Sequence, residues 1–179
     1  MEHDILVYNN FFGKEIQNDI WERMMRPKWS LTGGNKYNRF WHMDGLEIEE
    51  YFNEYLYRII CKKLDREFSG VGRIYANGQT AGQWGNPHVD DGDMTFLYFA
   101  NPEWDISLMG NFMMINRGLD REKGERFECN PDEDEIVKIV TFKSDRAVLF
   151  PGNIVHFAEA PHGKFFNGLR VSLAYKLYI

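Results

Sequence analysis

His88 and Asp90 are separated by a single residue, and their types and spacing suit metal chemistry. In an extended segment the two-residue period puts both side chains on one face, where an imidazole and a carboxylate can chelate one ion. Alone, such a pair reads equally well as a surface turn, so a third ligand decides its meaning. His156 is the best third ligand: it follows the turn Pro151-Gly152 inside the apolar stretch Ala147–Ala158, which can carry an imidazole into a sheet. His162 lies beside Pro161 and Gly163 and reads as loop, while His3 and His42 have no neighbouring ligand and read as surface or packing residues. Two histidines and one carboxylate leave three positions of an octahedral Fe(II) open, which is what an oxygenase needs to hold a chelating cosubstrate and then O2.

A cosubstrate with a remote carboxylate also requires a cation. Arg170 opens the alternating run Arg170-Val171-Ser172-Leu173-Ala174, so Arg170 and Ser172 point the same way. A guanidinium fork with a hydroxyl beside it suits one carboxylate. Val171, Leu173 and Tyr175 form the opposite face, and alternation leaves open which face is internal.

These side chains need a scaffold, and the chain supplies a β-rich one. Ile5–Tyr8 is a short strand. Ile16, Ile20, Trp21 and Met24 recur at helical spacing from Lys14 to about Met25, with Pro27 as the stop. Asp44 and Glu47 predict a capping box, opening a second helix whose face carries Ile48, Phe52, Tyr55, Ile59 and Leu64 and which ends near Gly70. Beyond Gly70 the period shortens to β-type runs near 72–77, 88–90, 94–100, 110–115, 135–142, 147–150, 154–158 and 170–177. Short strands separated by turns, with no helices between them, describe a sandwich or jelly roll and argue against a parallel doubly wound sheet.

With 179 residues, 44% of them hydrophobic, the chain matches one domain. The expected division is helical support over 1–70 and a β core over 71–179. A formal charge of −6 disfavours nucleic acid as a partner. Cys61 and Cys129 have no metal-type spacing and suit a reducing compartment. The start lacks the features of a secretory signal and no stretch is apolar enough for a membrane helix, so the expected location is cytoplasmic, with no membrane partner. Residues 120–135 carry eight acidic and three basic side chains and read as a solvated loop.

Together, His88-Val89-Asp90, His156 and Arg170-Val171-Ser172 resemble the signature of Fe(II)- and 2-oxoglutarate-dependent dioxygenases. Arg73-Ile74-Tyr75, Asn77-Gly78-Gln79-Thr80, Thr95–Phe99, Asn101-Pro102-Glu103-Trp104 and Gly110 resemble the prolyl 4-hydroxylase-like branch of that superfamily, over nearly the whole chain. The resemblance implies a mainly β fold, a double-stranded β-helix (jelly roll) with N-terminal supporting α-helices. It implies His88, Asp90 and His156 as iron ligands and Arg170 as the partner of the 2-oxoglutarate C5 carboxylate, with Ser172 as its companion. Tyr75 falls where the family places a tyrosine that meets the same carboxylate, and Met113 falls on a strand lining the cosubstrate pocket. Phe99 stands where a hydrogen-bonding tyrosine is frequent, so carboxylate recognition leans on Tyr75 and Arg170. Met109-Gly110-Asn111 departs from the usual pocket rim, and the 14-residue step from His156 to Arg170 is absorbed by a longer loop.

The implied cofactor is Fe(II), with 2-oxoglutarate as cosubstrate, O2 as oxidant and ascorbate as an optional reductant. The implied substrate is a prolyl residue in a peptide or protein, with Gln83, Trp84 and the Trp29–Trp41 segment as a groove rim. A free amino acid or other small metabolite is the main enzymatic alternative, and a non-catalytic jelly-roll binding module is the alternative outside enzymes.

Overall fold

The structure, a computed structural model, describes residues 5–119, 128–163 and 166–179. Its strands are β1 (Leu6–Asn9), β2 (Ser30–Gly34), β3 (Arg39–Met43), β4 (Gly70–Gln79), β5 (Met94–Phe99), β6 (Phe112–Gly118), β7 (Ile136–Val140), β8 (Arg146–Pro151), β9 (Ile154–Ala158) and β10 (Arg170–Tyr178). Seven pair in the order β1-β8-β5-β10-β4-β3-β2, and β7-β6-β9 form a smaller sheet. The pairings are antiparallel throughout, and the two sheets face each other as a mainly β jelly roll.

Two buried layers hold the fold together. Between the sheets, Leu97, Phe99, Phe112, Met114, Phe142, Val148 and Phe150 interdigitate. On the outer face of the large sheet, Ile74, Phe96, Tyr98, Leu149, Leu173 and Tyr175 pack against α1 (Lys14–Met24) through Ile20 and Met24, and against α2 (Tyr57–Leu64) and the turn before it through Phe52, Leu56 and Ile60. Strand β10 lies mid-sheet between β5 and β4 with all but its last residue buried, so its sequence reads as a continuous buried run. Helices on one side and the small sheet on the other explain why alternation did not reveal which of its faces is internal.

The support region differs from expectation in two respects. Residues 1–70 contribute strands as well as helices, because β1 closes one edge of the large sheet and the β2–β3 hairpin extends the other. The second helix does not open with a capping box: Gly45 precedes a short 3-10 turn, and Glu47 Oε2 accepts from the Ile74 backbone N–H instead. A π-helical turn over Tyr51–Leu56 then runs into α2 and shifts the buried face to Phe52, Leu56 and Ile60, leaving Ile48 and Tyr55 exposed. The cap of α1 also comes from far along the chain, where Asp145 accepts from the N–H groups of Phe12 and Gly13 at 2.9 Å each. Of the acidic run at 120–135, only 128–135 lie among the described residues.

Candidate metal centre

His88 and Asp90 lie on the connection from β4 to β5, which backbone contacts dock onto the β8–β9 hairpin. His88 and His156 exchange both backbone hydrogen bonds, N–H to O, at 3.1 and 2.9 Å, and Asp90 N–H donates to Gly152 O at 2.7 Å. This bridge takes the place of the strand expected at 88–90. It brings one ligand atom from each of His88, Asp90 and His156 within 4.8 Å of the others. Asp90 and His156 are buried, while His88 faces the opening. His162 falls outside this cluster, beside a β-bridge between Met109 and Pro161, and His3 lies outside the described residues.

The donor set suits a divalent first-row ion. His88 Nδ1 lies 2.7 Å from Asn86 O and His156 Nδ1 lies 2.8 Å from Ile154 O. A carbonyl can only accept, so each Nδ1 carries a proton, and in a neutral ring the Nε2 is then left with the lone pair. Those two Nε2 atoms face Asp90 at 3.4 and 3.3 Å, putting two ring nitrogens and one carboxylate within reach of one ion. Burial drives the His156 pKa down, against the opposing pull of Asp90, which keeps the ring neutral and ready to ligate. Burial works against ionisation of Asp90, but the Lys176 ammonium and the donors around the carboxyl outweigh it and hold it well below the usual range.

Lys176 is the residue that sequence reasoning missed. It sits on the same face of β10 as Arg170 and Ser172, is 2% exposed, and ion-pairs with Asp90 Oδ2. Thr95 Oγ1 donates to the same oxygen at 2.6 Å and accepts from Lys176 Nζ at 3.3 Å. Burial opposes the charge of Lys176, but Tyr75 and Asp90 outweigh it and raise its pKa. The even alternation from Arg170 through Ser172 and Ala174 to Lys176 was the available signal.

The same cavity is lined by Tyr75, Gln79, His88, Asp90, Phe112, His156, Arg170, Ser172 and Lys176. At its far end the Arg170 guanidinium is 1% exposed. Its Nη1 donates to Gln79 Oε1 at 2.7 Å and its Nε to Gly110 O at 2.6 Å, both neutral acceptors. Phe142 stacks 4.5 Å from Arg170 Cζ, and Phe99 lies behind it, stacked on Phe142. Desolvation pushes the Arg170 pKa down to about 9 against an opposing pull from Glu159, as expected of a buried cation whose direct hydrogen-bond partners among the described residues are neutral. Gly110 has φ +74°, and a Cβ there would lie 2.9 Å from Arg170 Cδ, so the close approach requires glycine.

Ser172 is buried on the cavity face beside Phe99, as its alternation with Arg170 allows. Two residues sit elsewhere than expected. Tyr75 pairs with Ala174 while Gln79 pairs with Arg170, and a step of four residues along the strand puts the two rows about 13 Å apart. Tyr75 therefore belongs to the Lys176 end, 5.1 Å from its ammonium, and Gln79 takes the place beside Arg170. Met113 lies off the cavity because alternation along β6 turns its neighbours Phe112 and Met114 inward, and Phe112 lines the pocket. His42 is more than a packing residue. Its Nδ1 meets Asn77 Oδ1 at 2.9 Å, and its ring lies 4.9 Å from that of Tyr75.

A second, more open cleft adjoins the His-Asp-His cluster. It is bounded by Gly33 and Gly34 at the end of β2, and by Phe40, His42, Arg73, His88 and Asp91. Trp84 is half exposed, whereas Trp29 packs against the helices and donates from Nε1 to Met24 O.

No family model matches the sequence, and no curated protein matches it significantly. Solved structures do match. A prolyl hydroxylase from Trichoplax adhaerens, in complex with a hypoxia-inducible factor degradation-domain peptide, aligns with TM-score 0.66 and 16% identity over 97% of this chain and 83% of its own. HygX from Streptomyces hygroscopicus, with nickel and 2-oxoglutarate bound, aligns with TM-score 0.65 and 12% identity over 97% and 83%. SnoN, the α-ketoglutarate-dependent epimerase from nogalamycin biosynthesis, aligns with TM-score 0.69 and 10% identity over 97% and 78%. The chain thus has the fold of 2-oxoglutarate–Fe(II) oxygenases, prolyl hydroxylases among them, and carries a His-Asp-His cluster in it.

Proposed function

We propose that this chain, as one catalytic domain, is an Fe(II)- and 2-oxoglutarate-dependent hydroxylase. The observation that carries this reading is one cavity holding both a three-ligand metal cluster and a buried guanidinium whose close partners are neutral oxygens. His88, Asp90 and His156 hold the metal, and a ferrous ion there supplies the redox chemistry that turns O2 against a C–H bond. Arg170 binds the C5 carboxylate of 2-oxoglutarate, with Gln79 orienting the guanidinium and Ser172 alongside. The aromatic walls of Phe99, Phe112, Phe142 and Phe150 exclude water, which strengthens that ion pair and protects the reaction from solvent.

The finer reading is a prolyl hydroxylase acting on a peptide or protein, supported by the peptide-bound neighbour and by the open cleft beside His88. Ascorbate as reductant and a cytoplasmic setting, in keeping with the free thiols of Cys61 and Cys129, belong to it. The second reading is a free amino acid or small metabolite. It is favoured by the cleft rim, where Arg73 lies 3.5 Å from Asp91 and 3.9 Å from Asp44 and so offers both charges to a zwitterion. The test is incubation with Fe(II), 2-oxoglutarate and O2 against a panel of proline-containing peptides and free amino acids, measuring succinate and the mass of one added oxygen. Succinate that forms only with Fe(II) and is lost in His156→Ala supports the assignment. Absence of succinate across the panel, with metal bound, refutes it.

A further inference from the structure

Lys176 is a buried ammonium with no part in the chemistry above, yet it touches the one carboxylate of the metal cluster. This inference rests on the reading of His88, Asp90 and His156 as a metal centre. We propose that Lys176 is a positioning residue that serves as the resident counter-cation of Asp90 and sets how tightly the site holds a divalent metal.

The geometry divides the two carboxylate oxygens. Oδ2 is taken by Lys176 Nζ and by the Thr95 hydroxyl and also lies 3.3 Å from His156 Nε2, whereas Oδ1, engaged by neither Lys176 nor Thr95, faces His88 Nε2 at 3.4 Å. Thr95 and Lys176 are also joined to each other, so the three side chains form a closed triangle that fixes the carboxylate plane. The triangle is built into the large sheet: Thr95 and Lys176 are register partners on β5 and β10, and Asp90 is tied through its backbone to Gly152. Asp90 is thereby presented as a one-oxygen ligand, with the second oxygen already engaged.

The charge consequence follows. Without Lys176, Asp90 is a buried carboxylate whose charge only an incoming ion can compensate, which favours tight metal capture. With Lys176 present the charge is compensated beforehand, and a divalent ion must share the carboxylate with an ammonium and bear its repulsion. The lysine thus holds the metal-free site in a ligating arrangement at the cost of metal affinity. The same argument assigns Thr95 the role of keeping the ammonium on Oδ2.

The test uses the full chain and Mn2+ as the probe, with free Mn2+ followed by electron paramagnetic resonance and thermal unfolding recorded with and without the ion. Lys176→Met and Lys176→Gln, the latter keeping a donor for Asp90, should bind Mn2+ at least tenfold more tightly than wild type. Both should unfold at lower temperature without metal and gain more from Mn2+ than wild type does. Lys176→Arg, which keeps the charge, should stay within about threefold of wild-type affinity. Unchanged or weaker Mn2+ binding in both neutral variants overturns the proposal. A neutral variant recoverable only with Mn2+ present shows the expected dependence, whereas neutral variants unfolded with and without the ion show a packing role and also overturn it. If wild type itself binds no Mn2+, the metal reading fails first, and that outcome is distinct from wild-type binding that Lys176 leaves untouched.

Discussion

Replacing Arg170 by methionine removes the cavity's counter-charge while keeping a long side chain between Phe142 and Gly110. In the free protein Glu159 only partly offsets the desolvation cost of the guanidinium, as its pKa of about 9 expresses. An incoming carboxylate relieves that cost and makes a buried, charge-assisted contact. Breaking a buried pair by removing one partner costs about 3–5 kcal/mol. Part of this is returned because the variant no longer buries a lone cation, leaving a net loss of at least about 2 kcal/mol, or roughly 30-fold in Kd. The assay is ligand-dependent thermal unfolding of Mn2+-loaded protein, backed by calorimetric titration. At about 100 times its Kd, 2-oxoglutarate should stabilise wild type by about 2.7 kcal/mol, which for a chain of this size is about 5–10 °C. The same concentration should give the variant less than about 1 kcal/mol and a shift of roughly 3 °C or less. Mn2+ affinity should be preserved, because Arg170 is not a ligand. Wild-type 2-oxoglutarate affinity in Arg170→Met would refute the reasoning and place the carboxylate elsewhere.

His156→Ala should abolish metal retention and His162→Ala should leave it intact, as measured by metal content after dialysis, since only His156 belongs to the cluster. Acidification should destabilise the metal-free protein: burial lowers the folded-state pKa of His156, so the unfolded chain takes up the proton first. The stability this histidine contributes is therefore full above about pH 6.5 and is lost as pH falls below it. Thermal scans from pH 8 to 5, with His156→Asn flattening the slope, check the sign. Gly152→Ala should lose several kcal/mol of stability and most metal affinity, because its Cβ would collide with the Gly92 carbonyl and break the turn that holds Asp90; denaturant unfolding and Mn2+ binding report both. Tyr75→Phe should leave 2-oxoglutarate affinity within about threefold, since its ring lies at the Lys176 end of the pocket, and calorimetric titration measures this.

Much of the fold was legible because its signals are local. Turn-separated runs located β5, β6, β9 and β10 within two residues of their observed starts, and the grouping of His88, Asp90 and His156 followed from a two-residue step plus one histidine in an apolar hairpin. What escaped were consequences of register and packing. The β2–β3 hairpin looked like loop because Gly33-Gly34 and its polar neighbours resemble a turn, and only pairing with β4 makes it a strand pair. The π-helical turn moved the buried helix face by one residue, which helical periodicity alone does not register. Gln79 and Lys176 were hidden for the same reason: their roles depend on which rows of β4, β5 and β10 lie side by side, and a lysine near the end of a strand ordinarily faces solvent.

The most direct test of the central claim, that one cavity binds metal and 2-oxoglutarate together, is calorimetric titration of 2-oxoglutarate and of glutarate into the protein with and without Mn2+. Both ligands carry the carboxylate for Arg170, but only 2-oxoglutarate can chelate through its keto group. The expected result is one equivalent of 2-oxoglutarate bound at least tenfold more tightly with Mn2+ than without, and glutarate binding that Mn2+ strengthens by less than about threefold. Equal 2-oxoglutarate affinity with and without the ion would contradict the account, because the metal cluster and the Arg170 pocket would then not serve the same ligand.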